Sequence, residues 1–147
     1  MADTYLAAHI VHLILAIIFI GFVFADVAVL SVLKSRFDVE TYKKIKEAIS
    51  ARSRKIYPPS VLVLILSGGF MLSKYINSSH TLLETPLQKI LMIKVVLAFI
   101  IASGIVYSLT MRMLKKSQNP FMAKHFHKAA LVLGMIIVVL AKMMFVV

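Results

Sequence analysis

His9 and His12 lie three residues apart in an apolar run near the start of the chain. On a helix that spacing puts both rings on one face, so two imidazoles can serve one ligand. Imidazole joined by thioether suits copper, with methionine favouring Cu(I). The chain has nine methionines to offer, Met71, Met92, Met143 and Met144 among them. The same imidazoles could hold haem iron as axial ligands. Asp26, Lys94 and Lys142 also fall inside apolar runs, while His80 and Glu84 lie in a connecting loop. Ionisable groups at membrane depth are costly, so each is a default candidate site.

The elements that must position these groups follow from composition. Of 147 residues, 61% are hydrophobic and 16% charged. The mean hydropathy is +0.92. Soluble domains are about 45–50% apolar, and so short a chain leaves much of its surface exposed. An integral membrane protein accommodates the excess; a soluble enzyme or a disordered tail does not. Cysteine is absent, which excludes disulfides, thiolate metal sites and thiol catalysis. Nothing supports hydrolytic chemistry: no glycine-rich phosphate loop, no nucleophile elbow and no paired carboxylates at one depth. A proton path lined by His and Asp remains compatible with the composition.

A membrane span needs about 20 apolar residues. Four runs qualify, at residues 6–33, 56–75, 87–109 and 129–147. The first is too long for a cleaved signal peptide and follows Asp3 rather than positive charge. The net charge is +11, and 13 of the 17 basic residues fall in two stretches, 34–55 and 112–128. That clustering points to membrane topology and anionic lipid heads, not nucleic acid. The positive-inside rule then puts both stretches in the cytoplasm and both termini outside. The first stretch is expected to form a short amphipathic helix, capped by Asp38, with Glu40 in its first turn and Tyr42, Ile45 and Ile49 on one face. Pro58-Pro59 is expected to open span two. Small pairs at Ala98/Ala102 and Ala130/Gly134, with Ser67-Gly68-Gly69, favour close helix packing. An all-α, up-down bundle of four transmembrane helices in a single domain, residues 1–147, follows.

With that direction, His9, His12, Lys94, Lys142, His80, Met71, Met92, Met143 and Met144 fall in the outer half. Asp26 lies roughly 20 Å deeper than His12. Each has a structural alternative. Methionines at helical spacing pack or face lipid, and Lys142 can snorkel outward. Asp26 can pair with Arg54, Lys55 or Lys124. His125 and His127 fall on different helix faces and suit the interface. No His lies within spans two or three, so an outer haem would pair His9 or His12 with His80, Met, Lys or nothing.

Ser67-Gly68-Gly69, a short polar loop and then Thr85-Pro86-Leu87-Gln88-Lys89, with Lys94 nine residues after Thr85, resemble the CopD copper-resistance domain. The likeness covers roughly residues 54–145; the family's Tyr-Gly-Arg turn is replaced here by Leu87-Gln88-Lys89. The first helix, with His9, His12 and Gly21, is also similar to HemJ, a four-span haem b protoporphyrinogen oxidase. That resemblance makes His9, Arg54 and Lys94 counterparts of its His, Arg and Lys. It lacks HemJ's Trp-rich first helix.

The leading expectation is a multi-pass protein of the bacterial inner membrane that handles copper, in uptake or tolerance. His9, His12, His80 and Met92 are its candidate metal ligands, and Lys94 and Arg54 candidate cofactor contacts. One alternative is a haem b redox protein resembling HemJ, so enzymatic activity stays open. Another is a non-catalytic assembly subunit that binds a second copy or another membrane protein.

Overall fold

The protein is described from a computed structural model covering residues 2–78, 83–117, 119–143 and 146. Every regular element among them is helical, and four helices are long and apolar enough to cross a membrane: Asp3–Arg36, Val39–Ile76, Pro86–Met113 and His125–Met143. Their outward faces expose Leu6, Ile17, Leu66, Phe99 and Val132. Such faces demand an apolar surrounding, and helices suit it because each satisfies its own backbone. The chain divides into two compact units, Met1–Met71 and Leu72–Val147.

In the first unit, α1 (Ala2–Phe24) runs into a π-helical turn at Ala25–Val29, a 3-10 turn at Leu30–Val32 and the short α2 (Leu33–Arg36). The π turn is closed by the Leu30 N–H donating to the Ala25 carbonyl, and it contains Asp26. Phe37 then turns extended, at φ −119° and ψ 154°, and ends the helix. Asp38 caps the next one as expected: the Thr41 N–H donates to its Oδ2 at 2.9 Å. Hydrogen bonding from Thr41, side chain and backbone, holds the Asp38 carboxyl below its ordinary range. The cap is therefore complete above the usual carboxylate pKa and is lost as pH falls through the lowered one.

The helix that Asp38 starts is not short. α3 spans Val39–Ser78, 40 residues without a break, so the expected amphipathic connector and span two are one helix. Tyr42, Ile45 and Ile49 are half-buried along it while Lys43, Lys44, Lys46 and Glu47 are exposed, so the amphipathic face is present. Pro58 and Pro59 lie inside α3 rather than opening it. Their missing N–H groups leave the Arg54 and Lys55 carbonyls without the usual i+4 donor. Both of those residues are exposed, where water can supply the lost bond. At 1.5 Å per residue α3 is about 60 Å long, twice a hydrocarbon core of about 30 Å. Only its apolar half can be immersed.

α1 and α3 are antiparallel. His12 meets Leu64 and Ser67, and Phe19 and Phe22 meet Tyr57, so contacts move back along α3 as they advance along α1. Phe19, Val23 and Val61 are the buried apolar residues of this unit among the described residues.

In the second unit, α4 (Pro86–Met113) and α5 (Pro120–Met143) pack together. Thr85 caps α4 through a reciprocal box: the Gln88 N–H donates to Thr85 Oγ1 at 3.2 Å, and the Thr85 N–H donates to Gln88 Oε1 at 3.0 Å. The Glu84 N–H donates to the same oxygen at 2.8 Å, which explains a glutamine only 8% exposed. Thr85→Ala is expected to destabilise by about 0.5–2 kcal/mol, read as a lower midpoint in a denaturant titration of detergent-purified protein. At its other end α4 closes with Lys115 at φ 52°, a left-handed conformation costing a side chain about 1–2 kcal/mol. Of the expected small pairs, Ala130 and Gly134 are buried, but Ala98 is exposed and Ala102 half-buried. The close approach on α4 is instead at Gly104, beside the Phe126 ring.

Candidate functional site

His12 is the polar centre of the first unit. Its Nδ1 lies 3.1 Å from the Leu64 carbonyl oxygen and 3.0 Å from Ser67 Oγ. Ser67 Oγ–H in turn donates to the Leu64 carbonyl at 3.0 Å. A carbonyl only accepts, so Nδ1 carries the ring proton and shares it between the two oxygens. The ring lone pair is then on Nε2. An imidazole whose N–H is donated to a backbone carbonyl has the arrangement that orients histidines toward metals.

The helix surface opposite is shaped for this ring. Gly68 follows Ser67, and a Cβ built there would lie 3.0 Å from His12 Cε1 and 3.4 Å from Nδ1. Ser67 supplies the acceptor and Gly68 the room, from consecutive positions. Ser67 itself is 9% exposed. The sequence signal for this pair was a serine next to glycine inside an apolar span. It was legible as a packing motif but not as the partner of a particular histidine.

His9, one turn before His12, is exposed, its ring edge-on to Tyr5 at 6.4 Å between centroids. Met71 is half-buried one turn beyond Ser67 on α3, which puts it level with His9 in the antiparallel register. Two imidazoles and one thioether thus occupy the same end of the α1–α3 pair. In the second unit, Lys94 and Met92 are half-buried on α4, and Met92 lines a shallow apolar groove with Leu83, Ile93, Val96 and Leu97. Arg54 and Lys142 are exposed. His80, Met144 and the Lys124 side chain lie outside the described residues. Among the described residues no three His, Cys, Asp or Glu side chains converge.

His125 and His127 are half-buried near the start of α5. His125 Nδ1 donates to the Phe121 carbonyl at 3.1 Å, and its ring packs on that of Phe121 at 4.7 Å. That is a local helix-terminal arrangement.

A second polar feature, absent from the sequence reading, is Tyr57. Its ring stacks on Phe19 at 5.7 Å and Phe22 at 4.9 Å. Its hydroxyl is buried with no hydrogen-bond partner among the described residues, and Asp26 of the π turn lies within electrostatic range. A buried unsatisfied hydroxyl costs about 1–3 kcal/mol. Tyr57→Phe keeps the ring stack and removes that cost. It should raise the unfolding free energy by an amount of that order, measured by denaturant titration; a loss of stability would mean that the hydroxyl is satisfied in the membrane.

Comparison with protein-family models, with curated proteins and with solved structures gave no match to this chain.

Proposed function

We propose that this is a multi-pass protein of the bacterial inner membrane that binds copper at the extracytoplasmic end of a four-helix bundle, in copper uptake or tolerance. The observation that carries this reading is the His12 imidazole. Its Nδ1 proton is committed to the Leu64 carbonyl and Ser67 Oγ, which leaves the lone pair on Nε2. His9 and Met71, at the same end of the α1–α3 pair, complete a nitrogen and thioether set of the kind that favours Cu(I). This set is in keeping with the resemblance to the CopD domain. The basic stretches 34–55 and 112–128 face the cytoplasm and both termini face outward, by the positive-inside rule.

Copper bound per chain, measured on detergent-purified protein loaded with Cu(I), tests the reading. Wild type should hold copper stoichiometrically, His12→Ala should lose it, and His9→Ala should weaken it. Unchanged loading in both variants would refute the site. An axial imidazole for haem b is the second reading, because the same Nδ1 arrangement serves iron equally. A red preparation whose Soret band disappears in His12→Ala would decide for haem.

A further inference from the structure

The exposed cations in the N-terminal half of α3 form two groups with different surroundings. Lys44 pairs with Glu40 at 2.9 Å, and Lys46 Nζ donates to Tyr42 Oη at 3.4 Å. Arg52, Arg54 and Lys55 are exposed and make no ion pair among the described residues. At 100° per residue Arg52 and Lys55 are 60° apart, with Arg54 on the flank beyond Lys55. The remaining side carries half-buried Ser53 and Tyr57, and Tyr57 packs against α1. The three cations therefore span an arc of about 160° on the side of the helix opposite the packed one.

Two arguments place this group at the membrane surface. The apolar half of α3 begins at Ile56, so Arg52–Lys55 lie within about 6 Å of the hydrocarbon edge. A headgroup layer is roughly 5–7 Å thick per leaflet. The Arg54 and Lys55 carbonyls, deprived of donors by Pro58 and Pro59, also require water, which the hydrocarbon core does not contain. Lys43, Lys44 and Lys46 stand roughly 15–20 Å from the same edge if α3 runs along the membrane normal, beyond the phosphates.

We propose that Arg52, Arg54 and Lys55 form a collar that binds the phosphodiester headgroups of anionic phospholipids where α3 enters the membrane. The guanidinium groups suit it, since their forked donors match phosphate oxygens in pairs. The occupant is lipid rather than a soluble anion because the collar lies in the plane where those phosphates are concentrated. The inference stands whether or not His12 holds a metal.

The test is the relative association of spin-labelled phosphatidylglycerol and phosphatidylcholine with full-length protein in vesicles. One cation near the surface is worth about fivefold in anionic-lipid binding, so wild type should prefer phosphatidylglycerol by about fivefold or more. The triple variant R52Q/R54Q/K55Q should bind both lipids alike. The variant K43Q/K44Q/K46Q, with the same change in charge, should keep the preference. Absence of a preference in wild type overturns the proposal without recourse to any variant. Equal losses in the two variants would reduce the effect to net charge, and displacement of the labelled lipid by millimolar inorganic phosphate at constant ionic strength would assign the collar to a free anion; either result overturns it.

Discussion

Gly104→Ala should destabilise the α4–α5 unit by about 1–3 kcal/mol, the usual range for overpacking. The added Cβ would clash with Phe126 Cε2 and stand 3.1 Å from Cδ2 and Cζ of the same ring. A phenyl ring is rigid and cannot relieve the clash by bending at its end. It must rotate out of its rotamer, or the helices must separate. Ile101 and Ile105, on the same stretch of α4, are buried at 7% and 5% exposure, so separation would also loosen their packing. In a membrane such proximity is what holds helices together, because lipid supplies little hydrophobic drive. The denaturation midpoint in detergent measures the loss. Phe126→Leu, placed in the Gly104→Ala background, should restore much of it by removing the ring edge. Full stability of Gly104→Ala alone would contradict the packing described.

The second large effect is expected at a residue that need not touch a ligand. Ser67→Ala should weaken Cu(I) binding by about 10–100-fold, the range typical for removing a group that orients a metal-ligating histidine. Ser67 Oγ lies 3.0 Å from His12 Nδ1 and 3.0 Å from the Leu64 carbonyl, so it braces both partners of the ring. Without it the imidazole keeps the Leu64 acceptor and gains freedom to turn. Ser60→Ala is the control, since its hydroxyl donates to the Ile56 carbonyl of its own helix at 2.8 Å and touches no histidine. Competition titration with a Cu(I) chelator separates the two variants. Equal affinities would remove Ser67 from the site.

Why some of this was legible in the sequence and some was not has a physical basis. The four long apolar helices follow from run length alone, because hydrocarbon thickness sets a minimum that few other structures satisfy. Asp38 was readable as a cap because its carboxylate acts on Thr41, three residues away. Capping by Thr85 and Gln88 was equally local, a Thr-x-x-Gln pattern that the sequence reading passed over. The continuity of α3 was hidden by Pro58-Pro59, which usually mark a helix start. It survives because the orphaned carbonyls belong to exposed residues. The π turn at Ala25–Val29 carries no local composition signal, and neither does the choice of Gly104 over Ala98 and Ala102 as the point of close approach. Both depend on what the neighbouring helix presents. The partners of His12 are 52 and 55 residues away, so spacing could nominate the histidine but not its acceptors.

The most direct measurement is the nitrogen-15 spectrum of His12, assigned by comparison with His12→Ala, in protein labelled at histidine and reconstituted in lipid. Before copper is added, the neutral ring should carry its proton on Nδ1. On adding Cu(I), the Nε2 resonance should move far more than Nδ1. A ring protonated on Nε2, or an Nε2 signal that ignores copper under conditions where the protein binds it, would contradict the account at its centre.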